Sequence, residues 1–103
     1  MAVETTREHQ PDIVNLVREI TWGLVDKPSN VLVQAVHGVG STTVRLSVNA
    51  ADIGKVIGKQ GRTAHSLRVI LGAIGMKYGH KFFLEIVDQD SPDQSHAATT
   101  PSN

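Results

Sequence analysis

With 103 residues, no cysteine, and ten acidic against ten basic side chains, the chain is sized for one domain. Disulfide scaffolds and thiolate metal sites are excluded, and a reducing cytoplasm is the expected compartment. A hydrophobic content of 40% with 19% charged residues fits an ordinary folded domain rather than a disordered one. No apolar run approaches the roughly 20 residues that span a bilayer, and Met1–Glu8 lacks the apolar core of a signal peptide.

Residues 1–10 are polar and aperiodic, so they read as a flexible lead-in. Pro11 suits a first helical position. Ile13, Leu16, Val17, Ile20 and Leu24 then fall on one helical stripe, with Asp12, Asn15, Arg18 and Glu19 off it. The spacing predicts an amphipathic helix closed near Asp26-Lys27-Pro28, because proline cannot continue it. Trp22, near the end of that helix, reads as a core or edge anchor rather than a stacking platform. Val31–His37 reads as a strand stopped by Gly38-Val39-Gly40-Ser41. From Thr42 to Asn49, Val44, Leu46 and Val48 alternate with Thr43, Arg45 and Ser47, which predicts the second strand of an antiparallel hairpin.

Asn49 has the chemistry of an N-cap for a short helix that ends at Ile57. After the loop Gly58-Lys59-Gln60-Gly61, a longer helix carries Ala64, Leu67, Leu71 and Ile74 on its stripe, with Ile70 beside it. Val69, Ala73 and Met76 widen that stripe beyond what one sheet face needs. Gly72 and Gly75 weaken the later turns, and Gly79 stops the helix. Lys81–Val87 is a third strand on which Phe82 and Phe83 point to opposite faces, so at most one is core. About thirty residues separate it from the second strand, enough for a crossover that sets the two parallel. The expected fold is α+β, in the order α-β-β-α-α-β, with a three-stranded mixed sheet and the helices packed on one face. Residues 11–88 form the single domain, and residues 89–103 are expected to be a disordered acidic tail.

Net charge is zero, but its distribution is uneven. Lys55, Lys59, Arg62, Arg68, Lys77 and Lys81 face one acid between Asp52 and Lys81. From Phe82 onward Glu85, Asp88, Asp90 and Asp93 have no base among them. A polyanion responds to the local patch rather than to the average; plain solvated decoration is the alternative reading of those cations. Within the basic stretch, Gly58 and Gly61 bracket two polar residues, so the backbone can turn sharply and approach a ligand closely. The loop empties into a helix N-terminus, whose unpaired N–H groups and positive dipole end favour an anion. Lys55, Lys59 and Arg62 surround that point, with Asp52 opposing them. These features together describe a backbone-phosphate clamp.

Asp52-Ile53-Gly54-Lys55-Val56-Ile57-Gly58-Lys59-Gln60-Gly61-Arg62, set between two helices and followed by a strand, resembles the core of a K-homology (KH) domain. The element order is similar to the type II, prokaryotic arrangement, and Leu24-Val25-Asp26 before a proline adds a resemblance to the bacterial KhpA family, over roughly residues 12–88. The resemblance implies a non-catalytic protein that binds single-stranded RNA. Gly58, Lys59, Gln60 and Gly61 would hold the backbone of about four nucleotides. Gly54 and Ile57 would line an apolar groove for bases, Arg62 would flank the backbone, and Lys55 belongs to the same site. It also implies an RNA chaperone or post-transcriptional regulator that works as a homodimer or with a KhpB-type partner. Ala64 stands where many KH domains carry a larger aliphatic residue, so a roomier groove is expected. The hairpin loop His37–Ser41 has no formal charge with which to read bases.

Other chemistries fit poorly. Gly54-Lys55-Val56-Ile57-Gly58-Lys59-Gln60 has three residues between its glycines where a phosphate loop needs four, and glutamine where Ser or Thr must hold magnesium. A dinucleotide fingerprint lacks its first glycine pair and its acidic partner. His9, His37, His65, His80 and His96 are scattered, which argues against a metal, and His65 reads as a surface residue. No nucleophile sits on a strained turn, so no catalytic residue is assigned and no cofactor is expected. With Trp22, Tyr78, Phe82 and Phe83 as its whole aromatic set, the chain cannot build the stacking platform of other RNA-binding folds. Two alternatives stay open: a protein-interaction module of KH shape, and binding of single-stranded DNA.

Overall fold

A computed structural model of the chain describes residues 11–89. Helix α1 runs Ile13–Trp22, strand β1 Leu32–Gly38, strand β2 Ser41–Val48, helix α2 Ile53–Ile57, helix α3 Arg62–Tyr78 and strand β3 Lys81–Asp88. This is the expected α-β-β-α-α-β order. The sheet order is β1-β2-β3, with β1 antiparallel and β3 parallel to the central β2. The mixed sheet follows from connection length: two residues join the hairpin, whereas α2 and α3 carry the chain back to start β3 beside β2.

The ends of α1 differ from expectation. Asp12, not Pro11, closes the N-terminus: its Oδ1 accepts from the Asn15 N–H at 3.1 Å, which leaves Pro11 just outside the helix. The helix also ends at Trp22, before Pro28 can act. Gly23 N–H donates to the Glu19 and Ile20 carbonyls, and the buried Thr21 hydroxyl donates to Val17 O at 2.7 Å. Such back-bonding loosens a helix at its end. Pro28 instead opens a short 3-10 turn over Pro28–Asn30. Asn49 does cap, through Oδ1 to the Ala51 N–H at 2.9 Å, but what it caps is a 3-10 turn over Ala50–Asp52 that leads into α2.

The core lies between the sheet and the helices. Val44, Leu46 and Val48 on β2 are fully buried and alternate with half-exposed Thr43, Arg45 and Ser47, as the period of two requires. They meet Val17 of α1, Val56 of α2, Leu67 and Leu71 of α3, and Leu84 and Ile86 of β3 in one cluster. Each such side chain stabilises the fold by about 1.5–3 kcal/mol relative to exposure. Phe82 packs against this cluster while Phe83 is exposed, so one of the pair is core. Trp22 is 47% exposed, which excludes the core among its two expected places.

Gln89, expected to begin the tail, continues the register of β3. Its N–H donates to Val48 O at 3.0 Å, and its side-chain amide donates to Asn30 O. The expected lead-in 1–10 and the rest of the tail lie outside the described residues. Among the described residues no helix is long and apolar enough to cross a membrane.

Candidate nucleic-acid interface

The Gly58–Gly61 loop sits between the C-terminus of α2 and the N-terminus of α3. Gly58 has φ +82° and Gly61 φ +75°, both in the region that favours glycine. At Gly58 a second constraint applies: an added Cβ would stand 2.3 Å from Thr63 Oγ1 and 2.8 Å from Thr63 N. Thus the backbone itself closes onto the first turn of α3. Gln60 adopts φ +57°, the one non-glycine left-handed residue among those described. Gly61 N–H donates to Gly58 O at 3.0 Å, which closes the turn.

Lys59, Gln60 and Arg62 are exposed around this bend, and no side chain caps the N-terminus of α3. Its amide end, with the positive end of the helix dipole, therefore faces the same side as the cations. Arg62 Nη2 donates to Gln60 Oε1 at 3.2 Å, which holds the guanidinium over the loop. The Lys59 ammonium makes no ion pair or hydrogen bond among the described residues, while its carbonyl accepts from the Arg62 N–H. Gly54 presents bare backbone, with nothing within 4 Å of an added Cβ, and Ile57 beside the loop is 39% exposed. The two form a small apolar patch next to the cationic bend.

Lys55 is placed differently from Lys59 and Arg62. Its ammonium lies 3.4 Å from Asp26 Oδ2 and 3.7 Å from Asp52 Oδ1. Asp52, read in the sequence as an acid opposing the cations, is a buried staple. Its Oδ1 accepts from the Asp26 N–H at 3.2 Å and its Oδ2 from the Lys27 N–H at 3.0 Å. Burial pushes the Asp52 carboxyl upward in pKa, yet those two N–H groups and the Lys55 charge outweigh it and hold the group below the ordinary 3.8. The sequence hinted at the Lys55–Asp52 pair through its three-residue spacing. Nothing local pointed to Asp26, which arrives from the segment after α1.

The basic cluster is also thinner than its count. Arg68 Nη2 donates to Leu84 O at 3.1 Å, so this guanidinium is spent on the backbone of β3. Lys77 and Lys81 lie at the other end of α3, about 25 Å away for 17 residues. Ala64 is buried in the core cluster, so its small size is felt there and not in an open groove. His65 is exposed, and no three His, Asp or Glu side chains among the described residues gather as a metal-binding group.

The family model for the KH domain of KhpA/KhpB matches residues 14–86. The chain is 46% identical over 77 residues to the RNA-binding protein KhpA of Aquifex aeolicus, an alignment covering 75% of this chain and 94% of that protein. It is 39% identical over 75 residues to the RNA-binding protein KhpA of Borreliella burgdorferi, covering 73% and 92% respectively. With the protein of the same name from Listeria monocytogenes the identity is 41% over 73 residues, covering 71% and 96%. No solved structure matches the chain.

Proposed function

The chain belongs to the KhpA/KhpB family of KH domains, and from that premise we propose that it is a non-catalytic protein that binds single-stranded RNA through the Gly58–Gly61 bend. The observation that carries this reading is the bend itself. A backbone held left-handed at Gly58, Gln60 and Gly61 delivers an uncapped helix N-terminus, Lys59 and Arg62 to one exposed point. That is the chemistry of a phosphate seat. A base next to the seated phosphate lies on the Gly54–Ile57 patch. Lys55 joins the contact when it exchanges Asp26 for a phosphate oxygen.

Residues 11–88 act as the binding unit, in the cytoplasm. One loop holds about four nucleotides and binds weakly alone, so the protein works as an RNA chaperone or post-transcriptional regulator in a pair, either with itself or with a KhpB-type partner. The outward face of α3 supports pairing: Val69 is 56%, Ile70 48% and Met76 85% exposed. That same face, with the zero net charge, favours a second reading, a protein-interaction module of KH shape.

The experiment is Lys59→Asp with Gln60→Asp, titrated with mixed-sequence single-stranded RNA at two salt concentrations. Aspartate tolerates the left-handed φ at position 60, so the melting temperature should stay unchanged. RNA affinity should drop at least about tenfold, and its salt dependence should flatten because a released counterion is lost with each phosphate contact. Unaltered RNA binding selects the protein-interaction module. Single-stranded DNA of the same sequence, run beside the RNA, reports whether the 2′-hydroxyl is read.

A further inference from the structure

At the end of the fold away from the loop, a cavity of about 480 Å³ opens between the start of α1 and the end of α3. That volume is within the range of small-ligand sites. We propose that this cavity is a second contact for the same class of ligand: it takes one unpaired nucleobase of an RNA strand longer than the loop can hold. The proposal rests on the RNA-binding reading above and extends it to the opposite pole of the molecule.

The polar chemistry is a three-member chain. Thr42 Oγ1 lies 3.2 Å from His37 Nδ1 and 2.8 Å from His80 Nε2, and all three residues line the cavity. A hydroxyl has one proton. With both rings neutral, it donates to one imidazole and accepts from the other, so the two rings hold opposite tautomers. Their remaining nitrogens, His37 Nε2 and His80 Nδ1, then offer one donor and one acceptor. Neither has a hydrogen-bond partner among the described residues. A change of tautomer in both rings, with rotation of the Thr42 hydroxyl, exchanges the two roles. A nucleobase edge presents neighbouring donors and acceptors in an order that differs between bases, and such a pair of rings can meet either order.

The walls suit a flat ring. The His80 and Phe82 rings stand 5.0 Å apart at 54°, and Tyr78 lines the same space. RNA-binding proteins stack splayed bases on Phe, Tyr and His. The charge is also in place. Lys77 Nζ lies 5.3 Å from the centroid of the Tyr78 ring, and Lys81 follows His80 directly. These two cations have no role at the Gly58–Gly61 loop, about 25 Å away along α3. Lys77, whose ammonium lies against the Tyr78 ring of the lining, borders the cavity as a phosphate contact. The one acid in the lining, Asp12, is engaged by the Asn15 N–H as the cap of α1.

Two variants separate space from chemistry: Ala35→Phe fills the cavity, and Thr42→Val removes the hydroxyl with its shape kept. Each is checked for an unchanged fold by its amide NMR spectrum and titrated with four- and twelve-nucleotide mixed-sequence RNA. Four-nucleotide affinity should match wild type, while twelve-nucleotide affinity should drop about fivefold or more in both. In the 103-residue Lys59→Asp/Gln60→Asp protein, titrated AMP and UMP should still shift the His37 and His80 ring signals, and Ala35→Phe should abolish those shifts. If twelve-nucleotide binding is unchanged in both variants, the second contact is wrong while the loop reading stands. If wild type binds neither RNA, both readings fall. Contacts from residues 1–10 to the His80 ring in the free protein would assign the cavity to the chain itself and overturn the proposal.

Discussion

A carboxylate taken out of water destabilises a fold unless donors replace its hydration. Asp52 has three such donors: the Asp26 and Lys27 N–H groups and the Lys55 ammonium. They fasten the segment after α1 to the start of α2, directly behind the Gly58–Gly61 bend. Because the folded carboxyl titrates below its ordinary 3.8, its stabilising effect is fully present above that value. It is lost as pH falls through the lower, folded value. Asp52→Asn should therefore be less stable than wild type at neutral pH, since the amide nitrogen cannot accept from a backbone N–H. The gap between the two proteins should narrow below about pH 4, where the unfolded chain's carboxyl takes up its proton first and the folded one follows at lower pH. Urea denaturation at pH 7, 4.5 and 3 measures this. A gap that stays constant across the three pH values would show that Asp52 acts only by shape. Lys59 and the two loop glycines were legible from sequence because a glycine-bracketed bend is a local pattern. The Asp52–Asp26 tie was not, because its partners are 26 residues apart and meet only in the fold.

Two glycines on α3 carry the same sequence signal and opposite structural roles. Both read as weak points, since glycine is about 1 kcal/mol less favourable than alanine inside a helix. At Gly72 an added Cβ meets nothing within 4 Å. At Gly75, which is buried, it would stand 2.2 Å from His80 O. The chain folds back there: Gly79 is left-handed at φ +66°, and the N–H groups of Gly79 and His80 both reach Gly75 O, His80 at 2.9 Å. That tight reversal starts β3 in register beside β2. Gly72→Ala should raise stability by up to about 1 kcal/mol. Gly75→Ala should lower it by about 1–3 kcal/mol, the cost of overpacking a site bounded by backbone. Thermal melts of the two single variants decide it, and stabilisation by both would mean that the reversal yields freely. Element order, the hairpin and the parallel third strand were readable because periodicity and connection length are local properties of the chain. The need for glycine at 75 and the capture of Arg68 by Leu84 O were not. Each depends on what another element brings alongside.

At the scale of the molecule, one module offers few cations to a polyanion. Lys55 is held by two acids and Arg68 by a carbonyl, which leaves Lys59 and Arg62 at the bend. Two phosphate contacts on a single strand give a slope of log affinity against log salt of about −1.4, and two loops on one strand about −2.8. With Lys55 left on its two acids and the cavity between α1 and α3 closed by Ala35→Phe in every protein compared, the measured slope reports how many modules grip one RNA. The outward stripe Val69, Ala73 and Met76 lies across α3 from the buried Leu67, Leu71 and Gly75, so charging it leaves the core untouched. Val69→Glu with Met76→Glu should keep the melting temperature within a few degrees and turn a sedimenting dimer into a monomer. It should halve the salt slope on long single-stranded RNA and weaken that binding on the order of 10²-fold through lost effective concentration. Binding of a four-nucleotide RNA should be unchanged, because one loop engages it in either state. If the doubly charged protein sediments like wild type and keeps the steeper slope, α3 is not the pairing face. If wild type itself sediments as a monomer with a slope near −1.4, the chain does not pair with itself, and a different partner must supply the second grip.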